Sequence, residues 1–294
     1  MRRRLRIPAL VAALAGAALG AALVYRALAP GDAAPPLRLT DCGAGPTIRG
    51  IDVSYHQEGI SWRRVRQAGV QFAFIRVSDG TTVSDPRFAM NWANARRVGV
   101  MRGAYQYFRP EESAIAQADL LIAAVRRDPG ELPPALDVET DGGQRPAQVE
   151  ARVRAWVDRV RTQLRVEPIV YTGPDFWRER AGGADLAGQP LWLAHYTAAC
   201  PSVPSPWARW TFWQHTDRGA VPGIDGPVDL NLFAGDYLAL EELARRSRLP
   251  ELASAASPAP VPTPAPVAGD SAGAAAAAAA AAPVLVPAAA SSSR

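Results

Sequence analysis

Two acids one residue apart, Asp137 and Glu139 in "LPPALDVETDGG", stand where the flanking pattern otherwise reads as a buried strand. Residues i and i+2 of a strand face the same way, so both carboxyls point to one place, with Glu139 the outer of the two. Two other strand-like runs carry an acid each, Asp52 in "GIDVSYHQ" and Asp229 in "VDLNLF". Each acid alone fits a strand edge or an arginine partner. Collected in one region, they would cost on the order of several kcal/mol unless chemistry required them. Like charges crowded at low dielectric raise at least one pKa and leave an acid protonated near neutral pH, which is what the general acid of glycoside hydrolysis needs.

Aromatic and amide side chains accompany these acids. Tyr105, Tyr107, Tyr171, Trp192, Tyr196 and Trp213 lie on or beside the same runs, with Trp177 near them. Aromatic faces stack on sugar rings, and polar tips such as Gln214 bond sugar hydroxyls, although aromatics at period two also build cores and about half of these are expected to line a groove. His56 and His195 fall near strand ends, where either could bond substrate or serve structure. Without a serine elbow or a cysteine partner, they make no hydrolase triad. No Cys or His cluster has metal-ligand spacing, so neither metal nor cofactor is expected.

The elements that must position these residues show a β/α rhythm. Strands are expected at 50–55, 72–78, 103–108, 135–139, 168–173, 191–196, 211–216 and 228–233. Amphipathic segments at 62–69, 85–99, 111–127 and 145–164 separate the first five, and a shorter one starts at Pro174. Only Pro- and Gly-rich connections join the last three. This pattern is an α/β fold, a closed barrel whose final third has lost its helices, with function at the strand ends. A doubly wound open sheet is the alternative, but no Gly-rich phosphate turn supports it.

The ends of the 294-residue chain differ from its body. After "MRRRLR", the run from Ile7 to Tyr25 is apolar and close to the roughly 17 to 25 residues of a membrane-spanning helix. The preceding arginines keep their side cytoplasmic, so the rest is exported, to a periplasmic or extracellular face. A cleaved signal peptide is the other reading, given Ala27-Leu28-Ala29, though Pro30 suits that cut poorly. Six arginines against Asp32 and Asp41 before residue 43 account for the whole formal charge of +4, so the body offers no basic surface for nucleic acid. Cys42 and Cys200 both lie on the exported side, where a disulfide and two free thiols are equally open. The expected organisation is an anchor or signal segment at 1–30, a linker at 31–47, a monomeric catalytic domain at 48–248 and an Ala/Pro/Ser-rich disordered tail at 249–294.

The motifs also resemble a known family. "GIDVSYHQEGISWRRVRQAGVQFAFIRVSDG", "DPRFAMNWANARRVGVMRGAYQYFRP", "LPPALDVET", "PIVYTG", "PLWLAHYT" and "WTFWQHTDRGAVPGIDGPVDLNLF" follow, in order and spacing, the lysozymes of glycoside hydrolase family 25. The resemblance spans about residues 49–240. It implies a TIM-like barrel of five β/α units followed by three strands, and an N-acetylmuramidase that cuts the β-1,4 bond between N-acetylmuramic acid and N-acetylglucosamine in peptidoglycan. It also implies Glu139 as general acid, Asp137 as the group that steadies developing positive charge or orients the 2-acetamido group, and Asp52 and Asp229 as supporting carboxylates. Tyr105, Tyr107, Tyr171, Trp192, His195 and Gln214 are the expected substrate contacts. Two departures stand out: Arg76 and Asp79 in "RVSDG" occur where the family often has Lys and Glu, and Gln106 occurs where a histidine is common. A wall-binding module without turnover and a chitinase-like glycosidase remain alternatives, although the long acidic run of the latter is missing before Asp137.

Overall fold

The computed structural model describes residues 42, 45–181, 185–197 and 199–255, with side chains described as far as 247. The expected membrane segment and almost all of the expected tail lie outside these residues. Among the described residues, no helix is long and apolar enough to cross a membrane.

Nine strands form one sheet: β1 (Thr47–Val53), β2 (Phe72–Asp79), β3 (Val83–Ser84), β4 (Met101–Tyr107), β5 (Ala135–Asp137), β6 (Ile169–Thr172), β7 (Leu191–Ala194), β8 (Phe212–Gly219) and β9 (Val228–Ala234). Pairing of β1 with both β9 and β2 closes eight of them into a barrel, and β3 hangs on the end of β2 as a short antiparallel extension. The first five barrel strands are followed by α1 (Trp62–Gln67), α2 (Phe88–Arg97), α3 (Ala114–Val125), α4 (Pro146–Leu164) and the short α5 (Pro174–Phe176), which runs into a π-turn at Trp177–Ala181. The expected barrel of five β/α units and three further strands is therefore the observed one.

One feature of the topology is absent from the sequence reading. Strands β1, β2 and β4 to β8 run parallel to their neighbours, but β9 is antiparallel to both β8 and β1. Asp229, the second residue of β9, lies at the strand's beginning, and reaches the mouth because β9 starts there while the other strands end there.

Alternation of side chains divides the apolar residues into two cores. The inward faces bring Phe72, Phe74, Trp192, Phe212 and Phe233 together inside the barrel, while Ile51, Ile75, Val170, Leu193 and Trp213 face outward under the helices. The interior leaves no room for a Cβ at two close approaches: one at Gly50 would lie 2.3 Å from the Phe72 ring, and one at Gly103 would lie 2.4 Å from Phe74. A last helix, α6 (Tyr237–Ala255), seats Leu240 and Ala244 against the same interior cluster and closes the end opposite the mouth. It continues past residue 248 into the segment read as a tail. A Cys42–Cys200 disulfide joins the chain before β1 to the β7–β8 connection, which settles the question left open by composition.

Candidate active site

The barrel mouth encloses a cavity of about 340 Å³ lined by all four expected acids. Strand register explains the meeting. Asp52 and Asp229 are direct cross-strand partners on β1 and β9, and Asp137 pairs with Tyr107 on β4 and Tyr171 on β6. Beyond the end of β5 the backbone stays clamped: Phe108 N–H donates to the Asp137 carbonyl, and Val138 N–H donates to the Tyr171 carbonyl, both at 2.9 Å. The Thr172 hydroxyl donates to the Val138 carbonyl, also at 2.9 Å. Strand alternation therefore continues to Glu139, which reaches solvent at the rim, whereas Asp137 is only 6% exposed below it.

Donor and acceptor inventories fix the orientation of the groups around Asp52. The Trp192 indole can only donate, and does so to Asn231 Oδ1 at 2.7 Å, leaving Asn231 Nδ2 to donate to Asp52 Oδ2 at 2.7 Å. The Tyr171 and Tyr196 hydroxyls donate to Gln214 Oε1, at 2.9 and 2.7 Å, so Gln214 Nε2 turns to Asp52 Oδ2 at 2.9 Å. Asp52 is thus held as an acceptor. Burial raises its pKa, while the bonds from Asn231, Gln214 and Asp229 pull the other way. Asp229 carries the proton: burial, then the Asp52 charge and the hydrogen bond to it, push its pKa up to about 8.

The other pair is also shifted upward. Burial, then the charges of Glu139 and Asp52, raise Asp137 well above the ordinary carboxyl range, and Arg76 opposes them. Asp137 Oδ1 is buried with no hydrogen-bond partner. Burial also raises Glu139, opposed first by hydrogen bonding from the Tyr107 hydroxyl. Burial pushes the Tyr107 phenol up to about 12, so it is a neutral donor under any ordinary condition. Four carboxyls share too few charges to be ionised together, which leaves protons available for transfer to a leaving oxygen.

The expected contact residues divide. Tyr105, Tyr107, Tyr171, Trp192, Tyr196 and Gln214 all line the cavity. Trp192 is only 1% exposed and stacks on Phe74 with ring centroids 4.2 Å apart, so its main task here is to orient Asn231. Tyr196, 52% exposed, offers an open face. His195 is not among the lining residues; its Nδ1 accepts the Ser202 amide at 3.0 Å. Trp177 and Trp213 are buried in the outer core, and Gln106 is buried there as well, bonded to Ser78 and Trp156 at 2.8 Å. His56 does line the mouth, as do Arg76 and Gln57, which the sequence reading did not assign to the site. Asn231 was also missed, although its position two residues after Asp229 on one strand face is a signal that could have found it.

Such a cluster of acids and tyrosines at the mouth of a closed β/α barrel defines a glycoside hydrolase. The model for glycosyl hydrolases family 25 matches residues 51–224, and the chain belongs to that family. Among similar proteins, lysozyme M1 of Streptomyces globisporus is 35% identical over 212 residues, covering 68% of this chain and 72% of that protein. An uncharacterized protein of Escherichia coli, YegX, is 42% identical over 197 residues, covering 65% of this chain and 71% of its own. Among solved structures, a bacterial lysozyme from Streptomyces coelicolor superposes with a TM-score of 0.64 at 32% identity, covering 69% of this chain and 99% of that one.

Proposed function

We propose that this protein is a peptidoglycan hydrolase, an N-acetylmuramidase, with Glu139 as the proton donor to the glycosidic oxygen. The observation that carries the reading is the pairing of a clamped Asp137–Glu139 motif with a proton-sharing Asp52–Asp229 pair in one mouth. Glu139 lies at the rim, where a leaving oxygen can reach it, and its raised pKa favours the protonated form. Asp137, deeper and with a free acceptor oxygen, accepts the N–H of a 2-acetamido group and steadies the positive charge at the anomeric carbon. Asp52 and Asp229 hold the charge of the floor constant, and Tyr107, Tyr171 and Gln214 bond sugar hydroxyls. His195, which is not among the residues lining the cavity, supports the loop that carries Tyr196.

The protein acts outside the cytoplasmic membrane, tethered by its apolar N-terminal segment and working as a monomer on glycan strands. The disulfide between Cys42 and Cys200 favours an oxidising compartment.

The deciding experiment is digestion of purified peptidoglycan, with mass spectrometry of the products. New reducing ends on N-acetylmuramic acid are expected from the wild-type protein. Glu139→Gln is expected to lower their release at least about a hundred-fold with the melting temperature unchanged. Retained turnover in that variant, or cleavage of chitin oligomers in preference to peptidoglycan, overturns the reading.

A further inference from the structure

Arg76 is the one arginine among the described residues that line the mouth cavity, and the chain contains no lysine. It is only 8% exposed. Its inward direction follows from strand alternation after Phe72 and Phe74, which fill the interior below it. A bulge between Arg76 and Ser78 then shifts the register, so that Ser78 turns outward to Gln106. The guanidinium is held on two sides. Nε donates to Asp85 Oδ2 at 3.3 Å, and the group lies 4.8 Å from the centre of the Tyr55 ring. Asp85 is itself fixed by the Tyr55 and Arg87 amides, each at 2.9 Å. After these contacts Nη2 is still buried and unpartnered, and Asp137 Oδ1 in the same cavity is the unpartnered buried acceptor.

This arrangement answers a difficulty in the proposed roles. Asp137 is deeper than Glu139, so burial alone makes it the harder of the two to ionise. Its role as an anion beside a protonated Glu139 needs the reverse. Around it stand Asp52 on β1, Asp79 beyond Arg76 on β2, Glu139 just past the end of β5 and, lining the same mouth, Asp229 on β9. The Tyr105, Tyr107 and Tyr171 phenols are neutral. The other nearby cation, Arg109, commits both its Nε and Nη2 to Asp79, at 2.6 and 2.8 Å.

We propose that Arg76 is a positioning residue of the reaction, a fixed cation in the mouth that offsets the burial of Asp137 and favours its carboxylate form while Glu139 holds its proton. An arginine suits this task better than a lysine would. Burial drives a lysine toward its neutral form, whereas a guanidinium stays charged. The inference rests on the reading that Asp137 acts as an anion.

The test uses the full chain and soluble peptidoglycan fragments, with kcat/KM followed across the acidic and neutral range. For Arg76→Met, the acid limb of the profile is expected to move to higher pH by about one unit or more. For Arg76→Lys, which is charged at acid pH, the limb stays near the wild-type position. Asp85→Asn removes the anion that partly offsets Arg76, so its limb moves to lower pH, a direction that general damage to the mouth does not produce. An unmoved limb in Arg76→Met, or an unmoved one in Asp85→Asn should Arg76→Met not fold, overturns the proposal. Asp137→Asn separates the two levels. If it is inactive and the limbs are unmoved, Arg76 alone is misassigned; if it is fully active, the role given to Asp137 fails first.

Discussion

Asp52 and Asp229 face each other across antiparallel strands, where two like charges would repel, and one proton between them removes the conflict. The pKa of Asp229, about 8 in the fold, stands far above the ordinary aspartate value of 3.8, so the folded protein binds this proton more tightly than the unfolded chain. Stability from this source is complete below the unfolded value and is lost as pH rises toward 8. Asp229→Asn keeps an N–H donor toward Asp52 without the titration. Its unfolding free energy, measured by urea denaturation, is expected to vary less than that of the wild type between acid and neutral pH, and an unchanged slope would contradict the shared proton. The four acids were legible in the sequence because period-two spacing and strand position concern single segments. Arg76 and Asn231 were not, since their importance comes from partners 9 residues away in one case and 179 in the other. His195 carried a reactive side chain at a plausible place, but only the loop's return toward Cys200 shows that its Nδ1 is already engaged.

At the scale of elements, periodicity found all eight barrel strands, because each is a short apolar run between turn residues. The two-residue β3 has no such pattern, and the direction of β9 leaves no trace in its residues. That direction matters, since a parallel β9 would carry Asp229 to the far end of the barrel. The sequence reading also has no helix after the last strand. Leu240, Leu243 and Ala244 have helical spacing, but the arginines and glutamates around them dilute the apolar stripe. In the fold, Leu240 is fully buried against the barrel interior, so α6 acts as a plug at the base. Leu240→Ala is expected to cost about 2 to 5 kcal/mol in denaturant unfolding, with kcat on peptidoglycan fragments unchanged at temperatures where the variant is folded. A cost below about 1 kcal/mol would mean that the base closes without the helix.

For the whole molecule, charge and apolar length are segregated along the chain. From residue 43 onward acids and bases balance, and the excess of arginine belongs to the segment before it. A neutral enzyme body gains no long-range attraction to either membrane or wall, so under the proposed tethering it is the N-terminal segment that sets the location. As a helix, the 19 residues from Ile7 to Tyr25 would extend about 28 Å, which matches a hydrocarbon core of roughly 30 Å. Expressed at full length in a bacterial host, the protein is expected in the membrane fraction, resisting extraction by alkaline carbonate and released by detergent, with mass spectrometry finding the residues before Pro30 intact. A variant lacking residues 1–30, directed to the same compartment by a cleavable signal, is expected in the soluble fraction with the same kcat/KM on soluble peptidoglycan fragments, because the barrel and its mouth are complete without the segment. Recovery of the full-length product as a soluble protein starting at Pro30 would instead mark the segment as a signal peptide, and would leave the wall itself to retain the enzyme.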